Sequence, residues 1–351
     1  MIRHAIDGGV NYLDTAYLYH GGNSERVVGE ALKDGYREKV KIATKLPVGS
    51  ITAYAEFDKI LDEQLARLQT GRIDFYLLHG LTQARWQFVR DLGVIAWAEG
   101  ALRDGRIGHL GFSFHDSYEA FKGIVDAYDG WTLAQVQYNY TDEEYQAGTR
   151  GVRYAAEKGL AVVVMEPLLG GRLADPPDAI KALWQSAATR RSPAEWGLQW
   201  LWNQPEVSVV LSGMSTMPQV VENLASADRS RVGSLGADEL QLVARARDLY
   251  GALFPIPCTQ CRYCMPCPNG VDIPLNLLTF NRGVGMGVMR SSSQRYASWS
   301  PDARASACIQ CRECEEKCPQ GIPVADWMPY LEEVLGKGVP YDPARTPALQ
   351  R

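Results

Sequence analysis

No cysteine occurs in the first 257 residues, and all eight of the chain's cysteines fall in two short runs, CTQCRYCMPCPNG from Cys258 and CIQCRECEEKCPQG from Cys308. Disulfide frameworks of secreted proteins spread cysteines through small domains, so this crowding excludes one and points to metal. Long apolar runs are also missing. None reaches the length of a membrane span, and the N-terminal MIRHAIDGGVNYLDTA has no apolar signal core, so a soluble cytoplasmic protein with no membrane partner is expected. Nor is positive charge massed anywhere. The net charge is -5, the isoelectric point is near 5.7, and Lys and Arg are scattered, which argues against nucleic acid as a partner. With 46% hydrophobic and 22% charged residues, 351 residues suffice for one large domain and a small one.

Cys258, Cys261 and Cys264 stand three apart, followed by Cys267 and Pro268; Cys308, Cys311 and Cys314 repeat the spacing, followed by Cys318 and Pro319. The second run has the bacterial ferredoxin spacing, in which three thiolates hold one 4Fe-4S cluster and the fourth ligates the other cluster. In the first run only Met265 and Pro266 separate the last two cysteines, so a tighter turn is expected there. Zinc is the alternative, but zinc sites pair two hooks of two cysteines across a longer gap. Two 4Fe-4S clusters are therefore predicted. Crossed ligation would give Cys258, Cys261, Cys264 and Cys318 to one, and Cys308, Cys311, Cys314 and Cys267 to the other.

In the cysteine-free part, short β-branched runs alternate with longer helical patterns. The runs lie at 10–16, 40–45, 73–79, 107–114, 133–139, 160–168 and 207–213. Between them, Phe57, Ile60, Leu61, Leu65 and Leu68 recur at helical spacing. Such alternation predicts βα units on a parallel sheet. No G-x-G-x-x-G follows the first strand, which removes the dinucleotide-binding Rossmann fingerprint and favours a (β/α)8 TIM barrel. Barrel chemistry sits at the C-terminal ends of strands. There the sequence places Asp14, Lys45 and His79 on three successive strands, with Tyr19 in the first loop. Singly, these are a helix-capping aspartate, a surface lysine, a core histidine and a half-buried tyrosine. Together they have a mechanism: an ammonium beside a phenol favours the phenolate, a carboxylate orients the ammonium, and a histidine binds the reacting oxygen.

Asp14, Tyr19, Lys45 and His79, in that order, resemble the catalytic tetrad of the aldo-keto reductases. GFS at 111–113, QVQYN at 135–139, EPLLGG at 166–171 and VVENL at 220–224 resemble that family's cofactor-binding strands. With the cysteine runs behind it, the chain resembles the branch carrying a C-terminal ferredoxin-like domain. The resemblance implies an oxidoreductase interconverting a carbonyl and an alcohol with NAD(H) or NADP(H). Tyr19 would be the proton donor, Lys45 and Asp14 would tune it, and His79 would orient the carbonyl. Ser113 and Gln135 would hold the nicotinamide carboxamide, Met165 would take the place of the family's stacking tyrosine with Phe112 or Phe114 as substitute rings, and Glu222 and Asn223 would meet the adenine end. Gly213 and Gln219 stand where NADPH-preferring members carry basic residues, with Arg172 as another anion site. The chain opens inside what resembles the family's first helix, so the first barrel strand is expected to be missing from the numbered chain.

The expected organisation is a barrel at 1–228, a linking helix and stiff hinge at 229–257, a ferredoxin-like iron-sulfur domain at 258–336 and an irregular tail at 337–351. The glycine- and serine-rich span between the cysteine runs reads as a surface loop. A nicotinamide passes hydride whereas each cluster passes one electron, so two rival readings stay open. One is an electron-transfer protein whose barrel docks a redox partner or another cofactor; the other is a nucleotide-sensing binding protein with structural clusters.

Overall fold

The computed structural model describes residues 1–348. Seven strands form one parallel sheet in chain order: β1 (Tyr12–Asp14), β2 (Lys41–Leu46), β3 (Ile73–Leu81), β4 (Ile107–Phe114), β5 (Leu133–Gln137), β6 (Ala161–Met165) and β7 (Val207–Val210). Each begins within a predicted run, β2 and β3 continuing one and two residues past theirs, because β-branched and aromatic side chains suit a pleated surface buried on both faces. The periodic segment after β2 forms the helix Glu56–Leu68, burying Phe57, Ile60, Leu61 and Leu68. A parallel sheet wound in sequence order, with helices between its strands, is the wall of an α/β barrel. No helix among the described residues is long and apolar enough to cross a membrane.

Two compact units make up the chain: Met1–Pro167 with Leu198–Leu235, and Leu168–Gly197 with the chain from Gly236 onward. In the first, Ala43, Leu77, Leu133 and Val163 fill the interior, flanked by Tyr12, Phe75, Ala161 and Val209. Side chains alternate along a strand, so the residue two places beyond an interior one also faces inward. That rule carries Lys45, His79, Gln135 and Met165 to the C-terminal end of the same interior. The opposite face packs under helices: Phe112 and Phe114 meet Phe121 of the helix Tyr118–Asp126, with ring centroids 5.8 and 5.1 Å apart. Both rings are fully buried there, which corrects the expectation that one could replace the missing nicotinamide-stacking tyrosine.

In the second unit a core of Ile256, Val271, Ile273, Leu277, Phe280, Tyr296, Ile322, Val324, Trp327, Met328 and Leu331 is packed against six of the eight cysteines. The span between the cysteine runs is not the expected surface loop. It forms the helices Ile273–Gly285 and Met289–Ala297, because Phe280 and Tyr296 give it an apolar face and Gly283 lets the two helices approach. A Cβ at Gly283 would meet Met289 Sδ at 2.7 Å. The segment 253–257 is pinned at Ile256, whose N–H donates to Asn281 Oδ1 and whose carbonyl accepts from Asn281 Nδ2 at 2.6 Å. Along the tail, Tyr330 Oη donates to the Asp342 carbonyl; positions 349–351 lie outside the described residues.

Candidate functional site

The ends of β1, β2 and β3 bring the expected tetrad together. Lys45, 1% exposed, donates from Nζ to Asp14 Oδ1 at 2.6 Å and to the Thr15 carbonyl at 2.7 Å. A buried ammonium stripped of its carboxylate costs about 3–5 kcal/mol, so Asp14 is what allows a charged lysine inside the barrel. Tyr19 lies at the start of a short turn in which His20, Gly21 and Gly22 all take positive φ. Its ring stands edge-on to His79, centroids 5.8 Å apart, and 5.3 Å from Lys45 Nζ.

The electrostatics correct one expectation. In the resting site the phenol is not brought down on balance: burial first, then the charges of Asp14 and Glu166, raise the Tyr19 pKa well above 10. The ammonium is already committed to Asp14 and Thr15, so the phenol stays protonated and stocked with its proton. His79 is pushed down to about 3, by burial first and then by Lys45, His115 and Arg85. It is neutral at any working pH and can donate one ring N–H without carrying charge. Glu166, directly after β6 with φ 55°, reads in the sequence only as the first residue of the EPLLGG cofactor-binding motif, with no role beside Tyr19; its position at a strand end was the signal available.

Ser113 and Gln135 sit opposite one another in the β4–β5 register, each 1% exposed. Ser113 Oγ accepts from Gly80 N at 2.7 Å, which leaves its own hydrogen to donate. Gln135 Nε2 lies 3.4 Å from Asp14 Oδ2, while Gln135 Oε1 is buried with no partner. An orphaned acceptor of this kind costs roughly 1–3 kcal/mol, and the NH2 of a carboxamide would relieve it. The pair therefore fits the nicotinamide amide. Met165, at the end of β6, offers a polarisable thioether where a ring could lie. Asn223 and Glu222 are on the helix Met217–Asp228 beyond β7, Asn223 Nδ2 donating to Ser212 Oγ at 2.9 Å and Glu222 exposed. Gln219 Oε1 is engaged in capping that helix, through Ser215 N and Thr216 N. Arg172 is excluded as a free anion site, since its guanidinium donates to the Cys258 carbonyl.

The two cysteine runs fold alike. Gln260 and Arg262 in the first, and Gln310 and Arg312 in the second, take left-handed φ of 58–65° at matching positions. Gln260 and Gln310 each reach across to a helix carbonyl, Pro274 O and Ala325 O. Alternating handedness of this kind curls the backbone into a nest of inward N–H groups suited to an anionic cluster. The shorter Cys264–Cys267 turn contains a cis Met265–Pro266 peptide. Neighbours follow the crossed pattern. Cys258 and Cys264 are pushed up to about 11 and 12 by burial first, and then by thiolates that include Cys318 and Cys261. Cys308 is raised by burial and then by Cys267 and Cys311. Cys267, Cys308, Cys311 and Cys314, together with Cys264, line one cavity with Val271, Ile273 and Val324. No disulfide links any cysteine, and no group of three or more His, Cys, Asp or Glu among the described residues is gathered as a single ion would require. Thiolates on a tetrahedral zinc would stand only about 3.8 Å apart, given Zn–S near 2.3 Å.

Known proteins match both units. Residues 1–234 match the Aldo/keto reductase family profile, and residues 257–322 match that of the 4Fe-4S dicluster domain. The 6-dehydroglucose reductase of Novosphingobium aromaticivorans is 26% identical over 278 residues, 72% of this chain and 83% of that protein. Among solved structures, the holo form of aldo-keto reductase AKR11C1 from Bacillus halodurans is 28% identical with a TM-score of 0.56, covering 70% of this chain and 84% of the other. An aldo-keto reductase from Klebsiella pneumoniae in complex with NADPH is 25% identical with a TM-score of 0.57, covering 70% and 82%.

Proposed function

Since this chain belongs to the aldo/keto reductase family and carries a 4Fe-4S dicluster domain, we propose that its barrel interconverts a small carbonyl compound and its alcohol at the ends of β1–β3. The observation that carries the reading is the buried Lys45–Asp14 pair beside an edge-on Tyr19 and His79. When bound, a reduced nicotinamide supplies the hydride that reaches the carbonyl carbon. The chain supplies the rest. Neutral His79 donates its N–H to the carbonyl oxygen and fixes its direction, and Tyr19 delivers the proton to that oxygen. Lys45, anchored by Asp14, faces the phenolate left behind and lowers the cost of forming it. Ser113 and Gln135 would hold the carboxamide, Met165 would line the ring, and Glu222 and Asn223 would meet the adenosine end. The relative named for a dehydrosugar supports a polar, sugar-like carbonyl as the substrate class.

On the choice of nucleotide, the sequence from 205 to 228 contains neither Lys nor Arg, and Glu222 adds negative charge there. That supports NADH binding at least as well as NADPH, although the Klebsiella relative holds NADPH.

The pH profile tests the acid–base assignment. The rate needs Tyr19 protonated and His79 neutral. With the phenol raised above 10 and the imidazole lowered to about 3, kcat/KM for reduction should stay level from below pH 6 to at least pH 9. Steady-state rates across that range decide it. A limb titrating between pH 6 and 7 would mean an ordinary histidine is doing the acid–base work.

For the clusters, a relay to a redox partner protein is favoured over a purely structural role. The second unit already has its own apolar core, including Phe280, Tyr296 and Trp327, so it does not depend on metal to replace one.

A further inference from the structure

The loop that bears Tyr19 is strapped from outside the site by one side chain. Arg67, on the helix Glu56–Leu68, donates from Nη1 to the Tyr17 carbonyl at 3.2 Å, and its guanidinium lies 4.1 Å from the centre of the Tyr17 ring. On the other side of Tyr19, a Cβ placed on Gly22 would sit 3.8 Å from the same Nη1. Tyr17 Oη donates to Glu63 Oε2 at 2.6 Å, and Glu63 in turn faces Arg67 Nη2 at 3.6 Å. From Tyr19 the chain passes through three successive positive-φ residues, His20, Gly21 and Gly22, in a short turn closed by the Asn23 N–H on the His20 carbonyl.

Arg67 is tied in its turn to the strand that bears Lys45. Its Nη1 lies 3.3 Å from Glu25 Oε2, and Glu25 is fully buried. The other Glu25 oxygen accepts from Thr44 Oγ1 and from Gln64 Nε2, both at 2.6 Å. Gln64 Nε2 also lies 3.1 Å from the Lys45 carbonyl, and Gln64 Oε1 accepts from Tyr76 Oη at 2.7 Å. A continuous polar path thus runs from Tyr17, two residues before Tyr19, through Arg67, Glu25 and Gln64, to the backbone of Lys45. Buried networks whose members are all satisfied hold one arrangement. Buried carboxylates are paired with cations or held by hydrogen-bond donors, and Glu25 has both.

We propose that Arg67, braced by Glu25, is a positioning residue that sets Tyr19 relative to Lys45 for proton delivery. The proposal rests on Tyr19 being the acid. Lysine in its place keeps a charge opposite Glu25, but lacks the planar fork that reaches Glu25 and the Tyr17 carbonyl together.

The experiment compares Arg67→Lys, Tyr19→Phe and the double variant, each prepared without oxygen as the cluster-loaded full chain. It measures reduction of para-nitrobenzaldehyde together with NADH affinity by fluorescence quenching. Arg67→Lys should lower kcat on the order of 10- to 100-fold, as small misplacements of catalytic groups do, with NADH affinity unchanged within about twofold. In the Tyr19→Phe background the same change should cost nothing further, because two groups acting through one step are not additive. Three results would overturn the proposal: kcat unchanged in Arg67→Lys, an equal fold-loss in both backgrounds, or NADH affinity falling in step with kcat. An Arg67→Lys protein that fails to fold would overturn it too, by making the network purely structural. Full turnover in Tyr19→Phe alone is a separate failure, that of the acid assignment.

Discussion

Tyr19→Phe should abolish carbonyl reduction, by roughly 100-fold or more, while leaving nucleotide affinity nearly unchanged. The phenol hydroxyl is the group lost, and only the transition state uses its proton. The ring survives, so its edge contact with His79 and its place beside Lys45 Nζ are retained. Ground-state binding of the nucleotide relies on other side chains, Ser113 and Gln135 among them. A large loss of kcat with an unchanged nucleotide dissociation constant, by fluorescence titration beside steady-state kinetics, is the expected pair of results. Full activity would mean that the family's chemistry has not carried over to this barrel.

Protein prepared without oxygen should contain about eight iron and eight inorganic sulfide per chain, and Cys311→Ala should hold about half of each. Cys311 lines a cavity with Cys267, Cys308 and Cys314, which Cys264 also borders, while Cys258 and Cys264 neighbour Cys261 and Cys318. One cubane should therefore be lost and the other kept. The apolar core around Phe280 and Trp327 should let the unit stay folded at a lower melting temperature. Iron and sulfide assays with electron paramagnetic resonance of the reduced protein read both numbers. Stoichiometric zinc without sulfide would sink the cluster assignment. If the clusters are a relay, a one-electron donor should reduce both in the intact protein; clusters that refuse electrons from every partner and donor would leave them structural.

Much of this could be read before the structure. All seven strands fall where apolar β-branched runs stand, because a buried parallel strand has no polar face to disguise it. The tetrad was legible because barrels put chemistry at strand ends, and Asp14, Lys45 and His79 stand on three of them in succession. The cysteine runs declared themselves by spacing alone. What the sequence hid depends on distances between segments far apart in the chain. Whether the Tyr19 phenol would titrate low turned on its burial and on the Asp14 and Glu166 charges around it, which only the fold brings together. Phe112 and Phe114 flank Ser113 in sequence, yet the strand's alternation sends both rings under Phe121. The span after Phe280 reads as a loop by its glycines, but Gly283 serves helix contact. Nothing in the sequence sets Arg67 apart from other arginines, since only its i,i+4 partner Glu63 is local and Tyr17 and Glu25 are brought to it by the fold.

The claim that this barrel reduces carbonyls with a nicotinamide is tested most directly by following the transferred hydrogen. NADH and NADPH, each carrying deuterium at the transferable position, would be given to the anaerobic protein with para-nitrobenzaldehyde and with a panel of dehydrosugars. The alcohol would then be examined by mass spectrometry and NMR. Deuterium should appear on the carbinol carbon, at least as fast from NADH as from NADPH, and should vanish in Tyr19→Phe. Nucleotide that binds without any labelled alcohol forming across the panel would contradict the account and favour a barrel that senses nucleotide rather than spends it.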